Sequence, residues 1–347
     1  MEEQSGKRIK VAINGAGRIG RAFFKLSQSA PDIEVVAIND LGDIDNIAYL
    51  LKYDTAYGVS QFEVKVKPDK KALIINGKEI EFLSEKNPTD LPWKYLNIDV
   101  VVEASGAFTT FKKAKAHIEA GAKRVVITAP SKDDPTDETQ ATILLGINEE
   151  KFKTCIISSN ASCTTNAGAP LIQILHEKIG VEKAVLNTTH GYTASQSIVD
   201  GPNKKDWKEG RAAGHNIVPT TTGAAIAVTK ALPDLVGKFD GISMRVPVIA
   251  GSIADVTFIA KRATSVEEVN NILKKASLDP RWQGIFTVTE DPIVSSDIIG
   301  SLYGSIADLS LTKVVDGNLV KVCAWYDNEM GYTNTLIKHV LKVGEYL

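Results

Sequence analysis

The run Arg8 to Asn14 (RIKVAIN) is short and β-branched, it stops at Gly15-Ala16-Gly17-Arg18-Ile19-Gly20, and the RAFFKLSQS that follows carries apolar residues at helical spacing. One short stretch therefore spells strand, glycine turn and helix start. The helix stops near Ala30-Pro31, and Ile33 to Ile38 (IEVVAI) reads as a second buried strand closing on Asn39-Asp40. Two strands joined through a helix run parallel and turn right-handed, which leaves the chain few architectures to choose from. Gly15 permits the tight turn, Gly17 lets the backbone approach a pyrophosphate, and Gly20 lets the helix pack close to the sheet. Free amides at the helix start, around Arg18 and Ile19, favour an anion. Asp40 stands about 20 residues beyond the turn, where an acid accepts hydrogen bonds from an adenosine ribose and repels a 2′-phosphate; the pattern points to NAD rather than NADP.

Further strands are expected at Lys71 to Ile75, Val100 to Glu103 and Val125 to Thr128, with a helical KKAKAHIEAG before the last. Regular alternation of this kind predicts an α/β fold, a Rossmann-type doubly wound parallel sheet with ligands at the carboxyl ends of its strands. Ser105-Gly106 and Thr128-Ala129-Pro130 lie at such ends, where turn chemistry explains them as well as a ligand does. With 347 residues the chain is long enough for two domains at roughly 150 residues each. Its 40 Lys+Arg against 42 Asp+Glu leave nearly no net charge, and no basic block is interleaved with aromatics, so nucleic acid is not expected as the main partner. No apolar run reaches the length of about 18 residues that a membrane helix needs, and the polar start Met1 to Arg8 predicts no secretory leader. Three scattered cysteines suit a reducing cytoplasm and offer no paired metal motif.

The second half carries the chemistry. Thr154 to Ser158 (TCIIS) is read as a buried strand running into Ser159-Asn160-Ala161-Ser162-Cys163-Thr164-Thr165-Asn166, ahead of a helical APLIQILHEKIG. Cys163 thus sits among cap-type residues at a helix start, where dipole and amides are expected to stabilise a thiolate and lower the thiol pKa. Cys155 and Cys323 fall in apolar strands and read as core. Pro170 predicts a helix that begins late or kinks. Of five histidines, His117, His176 and His339 lie in helical patterns and His215 in a loop, whereas His190 directly follows the strand Ala184 to Thr189 and precedes Gly191-Tyr192-Thr193. Taken alone, its position suits a catalytic base and a structural role equally.

Together, NGAGRIGR, SNASCTTN, HGYT, TTTGAA at 220–225, MRVP at 244–247 and WYDNEMGY at 325–332 resemble the phosphorylating glyceraldehyde-3-phosphate dehydrogenases across nearly the whole chain. The resemblance implies Cys163 as nucleophile and His190 as its base. It implies a hemithioacetal with glyceraldehyde 3-phosphate, oxidation by NAD to a thioester, and opening by inorganic phosphate to 1,3-bisphosphoglycerate. Anion sites carry over onto Ser162, Thr164, Thr193, Thr222, Gly223 and Arg245. Cofactor contacts carry over onto Arg18, Ile19, Asp40, Lys86, Thr128 and Asn328, the last at the nicotinamide amide. A homotetramer in the cytoplasm is the family expectation.

Some positions depart from the family pattern. Lys208 and Glu209 stand where relatives often carry arginine, so the basic residue of the inorganic-phosphate site stays unassigned. The segment from Ser131 (SKDDPTDETQATILLG) reads as a surface insertion. Leu41 and Pro202 resemble the NAD-preferring members. The expected architecture is an NAD-binding domain over 1–162 completed by 328–347, and an α+β catalytic domain over 163–327 with a mixed or antiparallel sheet around GISMRVPVIAGSIADVTFIAKR. A sister enzyme that oxidises erythrose 4-phosphate and opens the thioester with water is the alternative. A non-enzymatic nucleotide- or RNA-binding scaffold is the third reading.

Overall fold

The fold, taken from a computed structural model, is described over residues 8–347; the expectation about a leader falls mostly on residues 1–7, outside the described ones. The chain divides into two compact units, one made of residues up to Ile143 with Glu149–Ala161 and Leu336–Leu347, the other of Leu144–Asn148 with Ser162–Thr335. Residues 328–335, expected with the first domain, belong to the second unit, as do residues 144–148 and Ser162.

In the first unit the strands are β1 (Ile9–Asn14), β2 (Ile33–Asn39), the small hairpin β3 (Tyr53–Asp54) and β4 (Gly58–Val59), β5 (Val64–Val66), β6 (Ala72–Ile75), β7 (Lys78–Leu83), β8 (Val100–Glu103), β9 (Arg124–Ile127), β10 (Gln140–Thr142) and β11 (Ile157–Ser159). Its helices are α1 (Arg18–Ser27), α2 (Ile44–Lys52) and α3 (Phe111–Glu119). Nine strands form one sheet in the order β10-β11-β9-β8-β1-β2-β7-β6-β5, parallel from β10 to β7 and antiparallel at β7-β6-β5. The doubly wound arrangement follows from β1 and β8, whose near-complete burial needs helices on both faces. Trp93, Phe111, Val101 and Val125 pack in the core on one side.

Local differences from the sequence reading have plain causes. β11 begins at Ile157, so Cys155 lies ahead of the strand, although still buried. The segment from Ser131 is more than surface: Asp133 accepts hydrogen bonds from the Phe111 and Lys112 amides at the start of α3, and β10 joins the sheet edge. The alternating KEIEFL of β7, not singled out from the sequence, pairs parallel with the end of β2.

The second unit contains α4 (Cys163–Ile179), β12 (Val181–Gly191), β13 (Val218–Thr221), α5 (Ala224–Ala231), β14 (Phe239–Val246), β15 (Ser252–Ala260), α6 (Val266–Ser277), β16 (Phe286–Thr289), β17 (Ser305–Val315) and β18 (Leu319–Tyr326). A last helix, α7 (Met330–Gly344), begins in this unit and counts with the first from Leu336. The sheet order is β13-β14-β12-β15-β18-β17-β16, mixed as expected, with β12-β14 and β16-β17 parallel and the remaining pairs antiparallel. α4 packs on this sheet through small residues: a Cβ on Gly168 would stand 2.9 Å from Leu186 Cδ1. α4 starts at Cys163, so of the two expectations for Pro170 the late start does not hold, and the helix continues through the proline. The Ser305 hydroxyl donates to the Ala167 carbonyl in the turn that the proline interrupts.

Among the described residues, no helix is long and apolar enough to cross a membrane, and no group of three or more His, Cys, Asp or Glu is arranged to hold a metal ion.

Two predictions come from this packing. A Cβ at Gly20 would meet the Gly15 carbonyl oxygen at 1.9 Å, whereas one at Gly17 meets nothing within 4 Å. Gly20→Ala is expected to lower Tm by about 4 °C or more and Gly17→Ala to change it little, because a backbone oxygen cannot yield as a side chain does. Calorimetry that ranked them in the opposite order would contradict this. His339 is fully buried between Ser158 Oγ (2.7 Å) and Asn160 Oδ1 (3.1 Å), and burial pulls its pKa from 6.5 to about 3. The unfolded chain then binds a proton that the folded chain refuses, so this contribution is complete above pH 6.5 and is lost as pH falls toward 3, by up to about 1.4 kcal/mol per pH unit. Denaturant titrations at pH 7.5 and 5 are expected to show a smaller loss for His339→Gln than for the unsubstituted protein; equal losses would refute the assignment.

Candidate active site

Ser162 is the N-cap of α4: its side chain accepts from the Thr165 amide at 3.1 Å, as expected of a serine in that place. The cap makes Cys163 the first helical residue; the residue is half-buried, whereas Cys155 and Cys323 are buried. The base arrives from the sheet. His190 is the penultimate residue of β12, not part of a following loop, and strand register sets it beside Arg245 of β14 and Ser252 of β15. Cys163 Sγ and His190 Nε2 are 3.3 Å apart. His190 Nδ1 lies 2.6 Å from the Gly191 carbonyl and 2.5 Å from Arg245 Nη1. The Gly191 carbonyl needs a hydrogen on Nδ1, whereas the Arg245 guanidinium, which only donates, needs none there, so Nδ1 serves one of them at a time. The tautomer that a base requires gives that hydrogen to the carbonyl, turns the Nε2 lone pair toward the sulfur and leaves Arg245 as a neighbouring charge.

Tyr326, at the end of β18, was not visible as a site residue from the sequence. Its fully buried hydroxyl bridges Thr164 Oγ1 (2.8 Å) and Thr188 Oγ1 (2.7 Å), and its ring meets the His190 ring edge-on at 6.0 Å. It packs against Cys163 together with Ala167 and Ala254. One phenol thus ties α4 to the strand carrying the histidine.

The electrostatics correct one expectation. Burial pushes the Cys163 thiol above its ordinary value of 9.0, and the Arg245 charge together with hydrogen bonds from Thr164 and the Cys163 amide only partly offsets it. Burial and the Arg245 guanidinium likewise hold His190 down to about 3. The depressed thiol pKa expected from the helix start is therefore not a property of the thiol alone. When the proton moves from Sγ to Nε2, however, both charges appear together at 3.3 Å, and their attraction offsets the cost each bears by itself. By contrast Cys155 and Cys323 have no imidazole at hand, and burial raises both to about 12.

The residues expected to hold phosphate are placed unevenly. Arg245 stands at the Cys163-His190 pair. The Ser162 hydroxyl is engaged as the cap and the Thr164 hydroxyl by Tyr326. Thr193 Oγ1 meets Ser195 Oγ at 3.0 Å. Thr222 Oγ1 accepts from the Ala224 amide and Gly223 caps α5 without a side chain, so the first turn of that helix keeps amides for an anion. Glu209 Oε1 accepts from Thr220 Oγ1 at 3.0 Å, which puts a carboxylate where an arginine was sought. Asn328 Oδ1 accepts from the Gly251 amide (3.0 Å) and Ser252 Oγ (3.1 Å), which leaves its amide nitrogen for a ligand.

In the first unit a cavity of about 430 Å³ opens at the carboxyl ends of β1, β2 and β8, lined by Gly15, Gly17, Asp40, Lys86 and Ser105 among others. Gly15 has φ +101°, and a Cβ there would stand 2.5 Å from the Ser105 backbone. Gly17 caps α1 with no side-chain bond, and no acidic residue lies in the first turn. Asp40 accepts from the amides of Ala16 (2.6 Å) and Gly42 (2.7 Å). A bare glycine cradle, uncapped helix amides and a carboxylate at the second strand's end fit a dinucleotide. Ile19 is partly exposed in the first turn of α1, whereas the Arg18 side chain turns to Asp54 (2.8 Å), and Thr128 bonds the Glu103 carbonyl outside the cavity lining.

Comparison with known proteins is consistent across the chain. Residues 9–111 match the family model described as the glyceraldehyde 3-phosphate dehydrogenase NAD binding domain, and residues 162–328 match that of the C-terminal domain. Glyceraldehyde-3-phosphate dehydrogenase 2 of Streptomyces avermitilis is 47% identical over 342 residues, covering 98% of this chain and 99% of that protein. The glyceraldehyde-3-phosphate dehydrogenases of Clostridium acetobutylicum (46% over 334 residues, 95% and 96%) and Geobacillus stearothermophilus (45% over 331 residues, 95% and 96%) are similar to it to nearly the same degree. With both family domains in order and relatives at this identity over nearly its full length, the chain belongs to the glyceraldehyde-3-phosphate dehydrogenase family.

Proposed function

We propose that the chain oxidises glyceraldehyde 3-phosphate with NAD and inorganic phosphate through a thioester on Cys163. The observation that carries the reading is the sulfur-to-imidazole contact of 3.3 Å with Arg245 Nη1 at 2.5 Å from the same ring. Cys163 Sγ adds to the aldehyde carbon as its proton passes to His190 Nε2, and the proton returns to the new oxyanion to give a hemithioacetal. The Cys163 amide, at the helix start, is suited to stabilise that oxygen. Bound NAD supplies the acceptor for the hydride that the hemithioacetal carbon gives up. His190 takes the hydroxyl proton as the carbonyl re-forms, and phosphate opens the resulting thioester to an acyl phosphate.

Arg245 is proposed to hold a phosphate through its fork of donors, with Thr193, Thr222 and Gly223 completing the anion sites and Ser162 and Thr164 contributing main-chain amides. A phosphate at Arg245 also offsets the charge that depresses His190 and so raises the base's proton affinity when substrate is present. NAD is assigned to the first unit's cavity, with Gly15, Gly17, Ile19, Gly20, Asp40 and Lys86 around it and Arg18 and Thr128 supporting the loop and strand ends; for Asn328 the family resemblance supports a role in recognising the nicotinamide amide. A homotetramer is supported by a groove of about 780 Å³ on the second unit, lined by Val185, Ile226, Val236 and Leu319, each at least 40% exposed. A cytoplasmic location accords with three unpaired cysteines.

A second reading rests on one observation. Glu209 and Asp206 both face Thr220 Oγ1, at 3.0 and 3.5 Å, and two acids repel phosphate but tolerate water as the thioester's acceptor. The deciding assay follows NAD reduction by glyceraldehyde 3-phosphate while phosphate is varied. Saturable phosphate dependence is expected; an unchanged rate without phosphate would favour hydrolysis, and no reduction at all would refute both.

The pair itself is tested by pH. Iodoacetamide is expected to label Cys163 far faster than Cys155 or Cys323 at pH 7. His190→Asn is expected to move the midpoint of the Cys163 labelling profile upward by about one pH unit or more, because the thiolate loses its imidazolium. An identical profile in the variant would mean that the histidine does not take the proton.

A further inference from the structure

Beneath the first unit's cavity lies a carboxylate that the proposed chemistry does not use. Glu103 ends β8 with its side chain fully buried, does not line the cavity, and accepts four hydrogen bonds. Oε2 takes them from Asn14 Nδ2 (2.6 Å) and His117 Nε2 (2.9 Å), and Oε1 from the Ser105 amide (2.9 Å) and hydroxyl (2.5 Å). No lysine or arginine is among these partners. The direction of every bond is determined. Trp93 Nε1 only donates, and it donates to His117 Nδ1 at 3.0 Å, so the hydrogen of that ring is on Nε2 and points at Glu103. Asn14 Oδ1 is taken by Asn39 Nδ2 (2.7 Å), so Asn14 turns its own amide hydrogens to Glu103. Asn39 in turn is locked to the backbone of Glu85 by bonds of 2.8 and 2.9 Å.

Asn14, Asn39, Glu85 and Ser105 all line the cavity. We infer that Glu103 is the positioning residue of the cofactor site: a buried acceptor-only group whose four bonds fix Asn14 and Ser105, and through them Asn39 and Glu85, in the arrangement that receives the dinucleotide. The inference rests on the assignment of NAD to this cavity. The chemistry explains why a carboxylate is needed, since a neutral amide of the same size has donors at one end. Turned toward Oε1, those donors meet the Ser105 backbone amide, which has no alternative orientation. Turned toward Oε2, they meet His117 Nε2–H, which Trp93 holds in place, and Asn14, which Asn39 holds.

Calorimetric titration of NAD into the substrate-free protein tests this without turnover. Glu103→Gln is expected to raise the Kd for NAD at least tenfold while the rate of iodoacetamide labelling of Cys163 in the absence of NAD stays at the wild-type value. Trp93→Phe removes the hydrogen bond to His117 and leaves a small cavity in the core, and it covers the case in which Glu103→Gln fails to fold; it is expected to raise the Kd severalfold with Cys163 labelling unchanged. An unchanged Kd in either folded variant would overturn the inference, as would equal losses of NAD affinity and Cys163 labelling, which mark a general loosening. Absence of NAD binding by the wild-type protein would instead remove the cavity assignment, and the inference with it.

Discussion

A sulfur and an imidazole nitrogen held 3.3 Å apart exchange a proton; displaced by another turn of helix or one residue of strand register, they do not. The second unit meets that constraint from two directions. Ser162 fixes where α4 begins and hence where Cys163 points, and the pairing of β12 with β14 and β15 fixes which residues stand beside His190. Tyr326 joins the two solutions through Thr164 and Thr188. Gly168 and its alanine neighbours let the helix lie close enough for the join to form.

The same geometry explains why neither ionised group is favoured alone. Low polarity at the site penalises a thiolate or an imidazolium, and Arg245 penalises the imidazolium further. Proton transfer within the pair sets the two charges against each other, and an anion on Arg245 offsets the part of the penalty that its guanidinium imposes on His190. Nucleophilicity therefore belongs to the Cys163-His190 pair and not to the thiol alone.

Much was legible in the sequence because it is local. The glycine turn, the strand on either side of it and the acid at Asp40 lie within one βαβ unit, and the cap residues before Cys163 announce a helix start directly. Elements requiring partners far along the chain were not legible. Thr164 reads as an anion ligand until Tyr326, on a distant strand, claims its hydroxyl, and Asp133 reads as surface until its carboxylate is seen capping α3. Glu103 looked like the polar end of an apolar strand; its importance comes from Asn14, Ser105, His117 and Trp93 converging on it from four segments. The thiol pKa was misjudged for the same reason, since the helix start is a local feature and burial is not.

The reaction turns on a covalent bond to one cysteine, and mass spectrometry reports that bond directly. The protein is mixed with glyceraldehyde 3-phosphate and NAD in phosphate-free buffer, quenched in acid and mapped by peptide. An acyl group derived from the aldehyde on the peptide bearing Cys163, released when phosphate is added before the quench, is the predicted result. No adduct, or an adduct on Cys155 or Cys323 with Cys163 unmodified, would contradict it.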